Sequence, residues 1–204
     1  MSKNKKKKKW FKKHISDSYV IKSKQDNYSS RAAFKLLSLE EKYKILGKAK
    51  YVLDLGCSPG SWCEVLLKRT NIKKIVGIDK IQCKPLKKVE FHKIDIRETD
   101  ALNLILSKYN HKFNLVLSDI APNITGISDV DQGNFYEIAS TIEDFCKSRL
   151  KLGGTMIMKY FVGSAFDQTL SRLDKNFKKI NVFKPESSKK KSNEIYLICM
   201  DFDG

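Results

Sequence analysis

Tyr51-Val52-Leu53-Asp54-Leu55-Gly56-Cys57-Ser58-Pro59-Gly60-Ser61-Trp62 is an apolar run of strand formers that breaks into a turn carrying two glycines and a proline. A helical pattern follows from about Ser61 to Lys68. Strand, tight turn and helix make the opening unit of an α/β sheet, and such sheets bind nucleotides outside the carboxyl ends of their strands. Gly56 and Gly60 fall where the backbone must bend sharply and let a ligand approach. A second apolar run, Ile75-Val76-Gly77-Ile78, ends in Asp79, placed to accept hydrogen bonds from both hydroxyls of a ribose. The pattern Asp54-x-Gly56-x-x-Pro59-Gly60 is not the dinucleotide G-x-G-x-x-G, and no Walker Lys-Ser/Thr follows it. It points to S-adenosylmethionine rather than NAD or ATP.

The flanking sequence extends this unit in both directions. Upstream, Tyr28-Ser29-Ser30-Arg31 leads into a helix expected over 31–43, with Ser29 or Ser30 as its N-cap. Lys35 sits among the residues of its apolar side, Ala33, Phe34, Leu36 and Leu37, an odd place for a purely solvated lysine, and position alone leaves both snorkelling and a functional role open. Downstream, strands are expected over 89–95, 114–119, 155–161, 180–183 and 195–200. Helices are expected over 97–109, 135–150 and 166–173, with 124–132 as loop and Gly153-Gly154 closing the long helix. This alternation predicts an α/β sheet that is parallel through its first five strands.

Four acids, Asp54, Asp79, Asp95 and Asp119, fall at or near the ends of consecutive strands. One such acid is usually a turn former, but four on the ligand-binding edge describe a single site. Asp79 suits a ribose diol, and Asp95 suits an exocyclic adenine amine, because a carboxylate only accepts hydrogen bonds. Asp119 then faces the methionine end or the reacting centre. Lys159, flanked by Met158 and Phe161 at the next strand end, is poorly solvated there, which favours a proton-accepting amine.

The chain has 204 residues, enough for one domain with a sizeable core, and 41% hydrophobic residues with no membrane-spanning run. Forty Lys+Arg against 23 Asp+Glu give a net charge of +17, which favours a polyanionic partner, nucleic acid first. The five cysteines form no C-x-x-C pair, which argues against zinc and for a reducing, intracellular compartment. The amino terminus has no signal-peptide core; Lys5–Lys9 is a pure charge run suited to a solvated tail or an arm on RNA phosphates.

Several spaced stretches resemble the FtsJ/RrmJ family of RNA ribose 2′-O-methyltransferases. They are Lys9–Val20, Ser30–Leu36, Asp54–Trp62, Ser118–Asn123, Met158–Phe161, Lys184–Ser188 and Ser192–Tyr196, in order along the chain. The resemblance implies a Rossmann-like methyltransferase fold, a mostly parallel seven-stranded sheet with helices on both faces. Residues 1–27 would then form a basic arm and 28–204 a single methyltransferase domain. It implies a catalytic tetrad of Lys35, Asp119, Lys159 and Glu194. The bound cofactor would be S-adenosylmethionine, held by Gly56, Gly60, Ser61, Trp62, Asp79, Asp95 and Asp119. Ser61 stands where the family usually has a second glycine, close to the expected methionine carboxylate, and Cys57 replaces a usual alanine.

The function so implied is methylation of a ribose in RNA, most similar to the large-subunit ribosomal RNA uridine enzymes of bacteria and mitochondria. A mitochondrial or bacterial cytoplasmic location goes with it. The expected partner is rRNA or the large subunit, with phosphates held by the amino-terminal lysines, Lys189–Lys191 and Arg31. Neither a metal nor a membrane is expected, and the protein is expected to act as a monomer. The competing readings are a tRNA or mRNA-cap enzyme, a catalytically idle RNA-binding assembly factor, and a small-molecule methyltransferase. The last would not need the +17 charge.

Overall fold

A computed structural model describes residues 17–188 and 192–204. The Lys5–Lys9 run and Lys189–Lys191, expected to grip phosphates, lie outside the described residues.

The apolar runs become the strands of one seven-stranded sheet: β1 Tyr51–Leu55, β2 Lys74–Asp79, β3 Val89–Lys93, β4 Phe113–Ser118, β5 Leu150–Phe161, β6 Phe177–Phe183 and β7 Glu194–Phe202. Their order is β3-β2-β1-β4-β5-β7-β6. The first five run parallel, as expected, and β7 lies antiparallel between β5 and β6. Chain order reverses direction between β1 and β4, which opens a crevice at their carboxyl ends.

Helices cover both faces because the parallel strands are apolar on both sides. The helices are α1 Ser18–Gln25, α2 Ala32–Tyr43, α3 Ser61–Leu67, α4 Thr99–Ser107, α5 Ser128–Arg149 and α6 Phe166–Leu173. On one face Leu36, Leu39, Trp62 and Leu66 of α2 and α3 bury Val52, Leu115 and Ile157. On the other, Leu102, Phe135, Ile142 and Leu173 of α4, α5 and α6 bury Leu53, Val116 and Met158.

Three expectations are corrected. Helix α5 starts at Ser128 rather than 135, so most of the expected loop 124–132 is its first turns. Asp129 and Asp131, which looked like loop residues, are acids at a helix amino terminus, where the dipole favours them. Gly153-Gly154 does not close that helix: Arg149 ends it and β5 begins at once. The glycines lie where the β4–β5 register shifts, Phe113 pairing with Leu150 but Leu115 with Thr155, so Lys151–Gly154 bulge out of the ladder. Finally, α2 has Arg31 at its N-cap position and no side-chain cap. Ser30 instead accepts a bond from the Ala32 amide (3.1 Å) and pairs with the Ser61 hydroxyl (2.7 Å).

Residues 17–27 hold a helix the sequence reading did not foresee. Asp17 caps α1 by accepting from the Tyr19 amide, and Tyr19 packs on Phe34 at 5.5 Å between ring centres. Arg31, expected on RNA phosphates, is paired with Asp17.

Candidate active site

The β1–α3 turn is built around its glycines. Gly56 has φ +75°, and a Cβ there would overlap the Ile120 side chain, so any larger residue must both strain the backbone and push the β4 loop away. Gly60 has φ +110°, a region L side chains rarely adopt, and leads straight into α3. Asp79 ties this turn to the end of β2. Its Oδ2 accepts from the Ser58 amide and its Oδ1 from the Ile81 amide, both at 2.8 Å. One lone pair on each oxygen remains for a ribose hydroxyl.

Between these turns lies a cleft of about 380 Å³. Gly56, Asp79, Asp95 and Asp119 line it, and Ile78, Ile94, Ile96, Ile120 and Ile138 give it apolar walls. A second hollow, of about 20 Å³, is lined by Ser61 and Trp62 and shares Gly56, Ser58 and Asp119 with the first. Six of the seven expected cofactor residues thus line two adjoining hollows, and Gly60 shapes the turn between them. Apolar walls with a few convergent acids fit an adenosine with a polar tail.

Asp95 has a partner the sequence reading missed. Arg97 holds it bidentately, Nε to Oδ1 at 3.0 Å and a terminal nitrogen to Oδ2 at 2.6 Å. Those bonds hold the carboxyl down at about 2, so it is charged at any working pH. The signal was an arginine two residues after a strand-end acid on a tight turn.

Asp54 is the opposite case. It is buried in β1, and burial pushes its carboxyl up to about 8, against a hydrogen bond from Cys63 (3.3 Å) and with the charges of Asp119 and Asp79 adding to the rise. Its folded value lies above the unfolded one near 3.9, so the folded state binds the extra proton between those values. Stability should therefore fall with rising pH across that window by about 1.4 kcal/mol per unit at most. Asp54→Asn removes the titration. Urea midpoints of the variant and the unaltered protein should diverge from pH 5 to pH 8, with the variant the more stable at pH 8; parallel profiles would refute the neutral acid.

The tetrad forms where β4, β5, β7 and α2 converge. Asp119 follows β4 directly, and its Oδ1 is 3.1 Å from Lys159 Nζ and 3.7 Å from Lys35 Nζ. Lys159 Nζ also donates to the Asp119 backbone carbonyl. Lys35 reaches Glu194 Oε1 at 2.8 Å, and Ser188 donates to the same oxygen at 2.8 Å. The lysine on α2 is therefore no snorkelling residue: it is 7% exposed and points inward between two carboxylates.

Tyr196, to which the sequence reading assigned no role, completes the group. Its hydroxyl donates to Asp119 Oδ1, and its ring lies 5.6 Å under Lys35 Nζ. It is two residues after Glu194 on the same strand and opposite Lys159 across the β5–β7 ladder, a placement that strand alternation makes readable once Glu194 is suspected. Burial works to raise the Asp119 carboxyl, but the charges of Lys159 and Lys35 and the Tyr196 bond outweigh it and hold it below the usual carboxylate range.

All five cysteines are buried free thiols. Among the described residues no group of three or more His, Cys, Asp or Glu side chains is placed to hold a metal ion, and no helix is long and apolar enough to cross a membrane.

The sequence model of the FtsJ-like methyltransferases matches residues 28–202. The chain belongs to that family. As a methyltransferase it is 36% identical to the ribosomal RNA large subunit methyltransferase E of Methylobacillus flagellatus, over 93% of this chain and 92% of that one. A namesake from Francisella tularensis subsp. holarctica is 36% identical over the whole of both chains. Among solved structures, one assigned as a ribosomal RNA methyltransferase of Plasmodium falciparum is similar at 38% identity and a TM-score of 0.76. That match covers 87% of this methyltransferase and all of the other chain.

Proposed function

We propose that this methyltransferase moves a methyl group from S-adenosylmethionine to a ribose 2′-hydroxyl of large-subunit ribosomal RNA, with uridine as the target nucleoside. The observation that carries the reading is Asp119: it lines the cleft suited to adenosine and also anchors Lys159 and Lys35. The relatives named for large-subunit RNA and the +17 charge support the substrate class. The five free thiols support a reducing, intracellular setting.

Asp79 would hold the ribose of the cofactor, Asp95 its adenine amine, and the turn at Gly56 to Trp62 its methionine end. When bound, the cofactor supplies an electrophilic methyl on a sulfonium. The residues then have one problem to solve, because a ribose hydroxyl is a weak nucleophile. Lys159 accepts the hydroxyl proton as the oxygen attacks. Asp119 fixes the Lys159 amine in direction through both its carboxylate and its carbonyl. Lys35, held by Glu194, places a second cation beside that carboxylate and orients the hydroxyl.

The test is transfer of labelled methyl to tRNA, isolated large-subunit rRNA and assembled large subunits. Label is expected in rRNA or subunits, mapping to a uridine 2′-oxygen. Label in tRNA alone would overturn the substrate; label in none, with cofactor bound, would favour an assembly factor over an enzyme.

A further inference from the structure

Four large apolar side chains stand in solvent on the two segments that leave the strands carrying the proposed reacting centre. Ile124 is 64% exposed, Ile127 63%, Val130 47% and Val162 41%. Three lie on the segment that follows β4, and the fourth on the one that follows β5. Those two strands deliver Asp119 and Lys159. Ile124 sits between Asn123 and Thr125, both of which line the cleft. The two segments meet: Gly163 lies so close to Gln132 that a Cβ on it would overlap the Gln132 amide.

This surface is held in place by bonds. Asp131, 8% exposed, accepts from the Thr125 amide (2.7 Å), the Thr125 hydroxyl (2.8 Å) and the Gly126 amide (3.1 Å). Thr125 Oγ1 in turn accepts from the Ile127 amide at 3.1 Å. Those hydrogen bonds, and the amides' charge-assisted contact with a carboxylate held below its usual range, fix the loop while its isoleucines stay outside the core. Apolar groups kept in water beside a site mark a contact surface where they gather into one patch, and the meeting of the two segments brings these together.

Charge says which part of a nucleic acid fits it. In a chain with 40 Lys+Arg, the sequence between Lys112 and Lys147 contains no Lys or Arg, and it adds Asp129 to the exposed segment. A surface that gripped phosphates would carry cations. Single-stranded RNA also offers the flat, apolar faces of bases turned out of their stack. A ribose brought to Lys159 needs its neighbourhood opened in this way.

Resting on the function proposed above, we infer that Ile124, Ile127, Val130 and Val162 form the seat of an unstacked nucleobase of the substrate RNA, next to the methylated ribose. The variant Ile124→Ser/Ile127→Ser, assayed on unmethylated large subunits, should raise KM for the subunit about tenfold, the scale of losing the burial of about one apolar side chain. Its kcat and its calorimetric affinity for S-adenosylmethionine should match those of the unaltered protein. Leu104→Ser, which removes an equally exposed side chain on α4, should change nothing.

A benzophenone side chain in place of Ile127 should crosslink to rRNA beside the modified nucleotide. Crosslinking to a ribosomal protein alone would overturn the inference in favour of a protein contact. A fall in cofactor affinity in step with KM would overturn it by placing the effect in the cleft, and so would an unchanged KM. If the unaltered protein methylates no RNA, the function itself fails and this inference with it; if it does and the double variant matches it, only the inference fails.

Discussion

Lys159→Ala is expected to lower kcat for methyl transfer by about 10²–10⁴-fold, the usual contribution of a positioned proton acceptor. Cofactor affinity should stay within a few-fold. Lys159 Nζ is directed at Asp119, and the cleft acids Asp79 and Asp95 keep their own partners, Ser58, Ile81 and Arg97. Lys159→Arg separates the two properties a lysine brings here. Arginine keeps the positive charge beside Asp119 but has no free-base form within reach of a working pH, so it cannot accept a proton. The arginine variant should therefore be about as inactive as the alanine one. Single-turnover transfer from labelled S-adenosylmethionine, alongside calorimetric titration of the cofactor, reads both quantities. An active arginine variant would show that charge, rather than proton acceptance, is what Lys159 contributes.

The parts of this site that sequence could reach are those obeying the rule that parallel strands present their last residues to the ligand. Asp79 and Asp119 follow that rule, and both line the cleft. Asp54 stops one residue short of the strand end: it lies within β1, sealed by Cys63, and reaches only the smaller hollow.

Glu194 escapes the rule for a different reason. Because β7 runs antiparallel to its neighbour, it brings its first residue, not its last, to the same edge, opposite Phe161. Local sequence does not encode strand direction, so Glu194 was reachable only through likeness to a family. Lys35 belongs to a helix, and its inward course depends on how α2 sits on α3. Trp62 Nε1 fixes that contact by donating to the Ala32 carbonyl at 2.8 Å, and Ser30 adds its contact with Ser61. Ser61, the departure from the usual glycine, thus gains a partner in this chain that a glycine would lack. The start of α5 was hidden because Ser, Asp and Gly are turn formers in isolation, whereas here Asp131 spends its carboxylate on the preceding loop.

Asp119→Asn should be the variant that costs both activity and the fold. Asparagine keeps the shape and an acceptor for the Tyr196 hydroxyl, but it leaves two largely buried ammonium groups with one remaining carboxylate, within reach of Lys35 alone. Lys35 keeps Glu194 at 2.8 Å, and Lys159 keeps only the backbone carbonyl of residue 119. Removing one member of a buried charge pair costs about 3–5 kcal/mol, and the lower end applies because the Asp119 side chain is 18% exposed.

The pH dependence follows from the direction of its shift. Burial raises the Asp119 carboxyl, but Lys159, Lys35 and Tyr196 bring it below its unfolded value. The stabilisation is therefore fully present above the unfolded value near 3.9 and is lost as pH falls through the folded one. Urea midpoints of Asp119→Asn and the unaltered protein should differ most near neutrality and converge below about pH 4. Adding Lys159→Met to Asp119→Asn removes the stranded cation. Stability should then return while methyl transfer stays absent, a non-additive result expected only if the two side chains act as a pair. Additive losses in that double variant would mean that Asp119 stabilises the fold through the Tyr196 and β4 contacts rather than by neutralising Lys159.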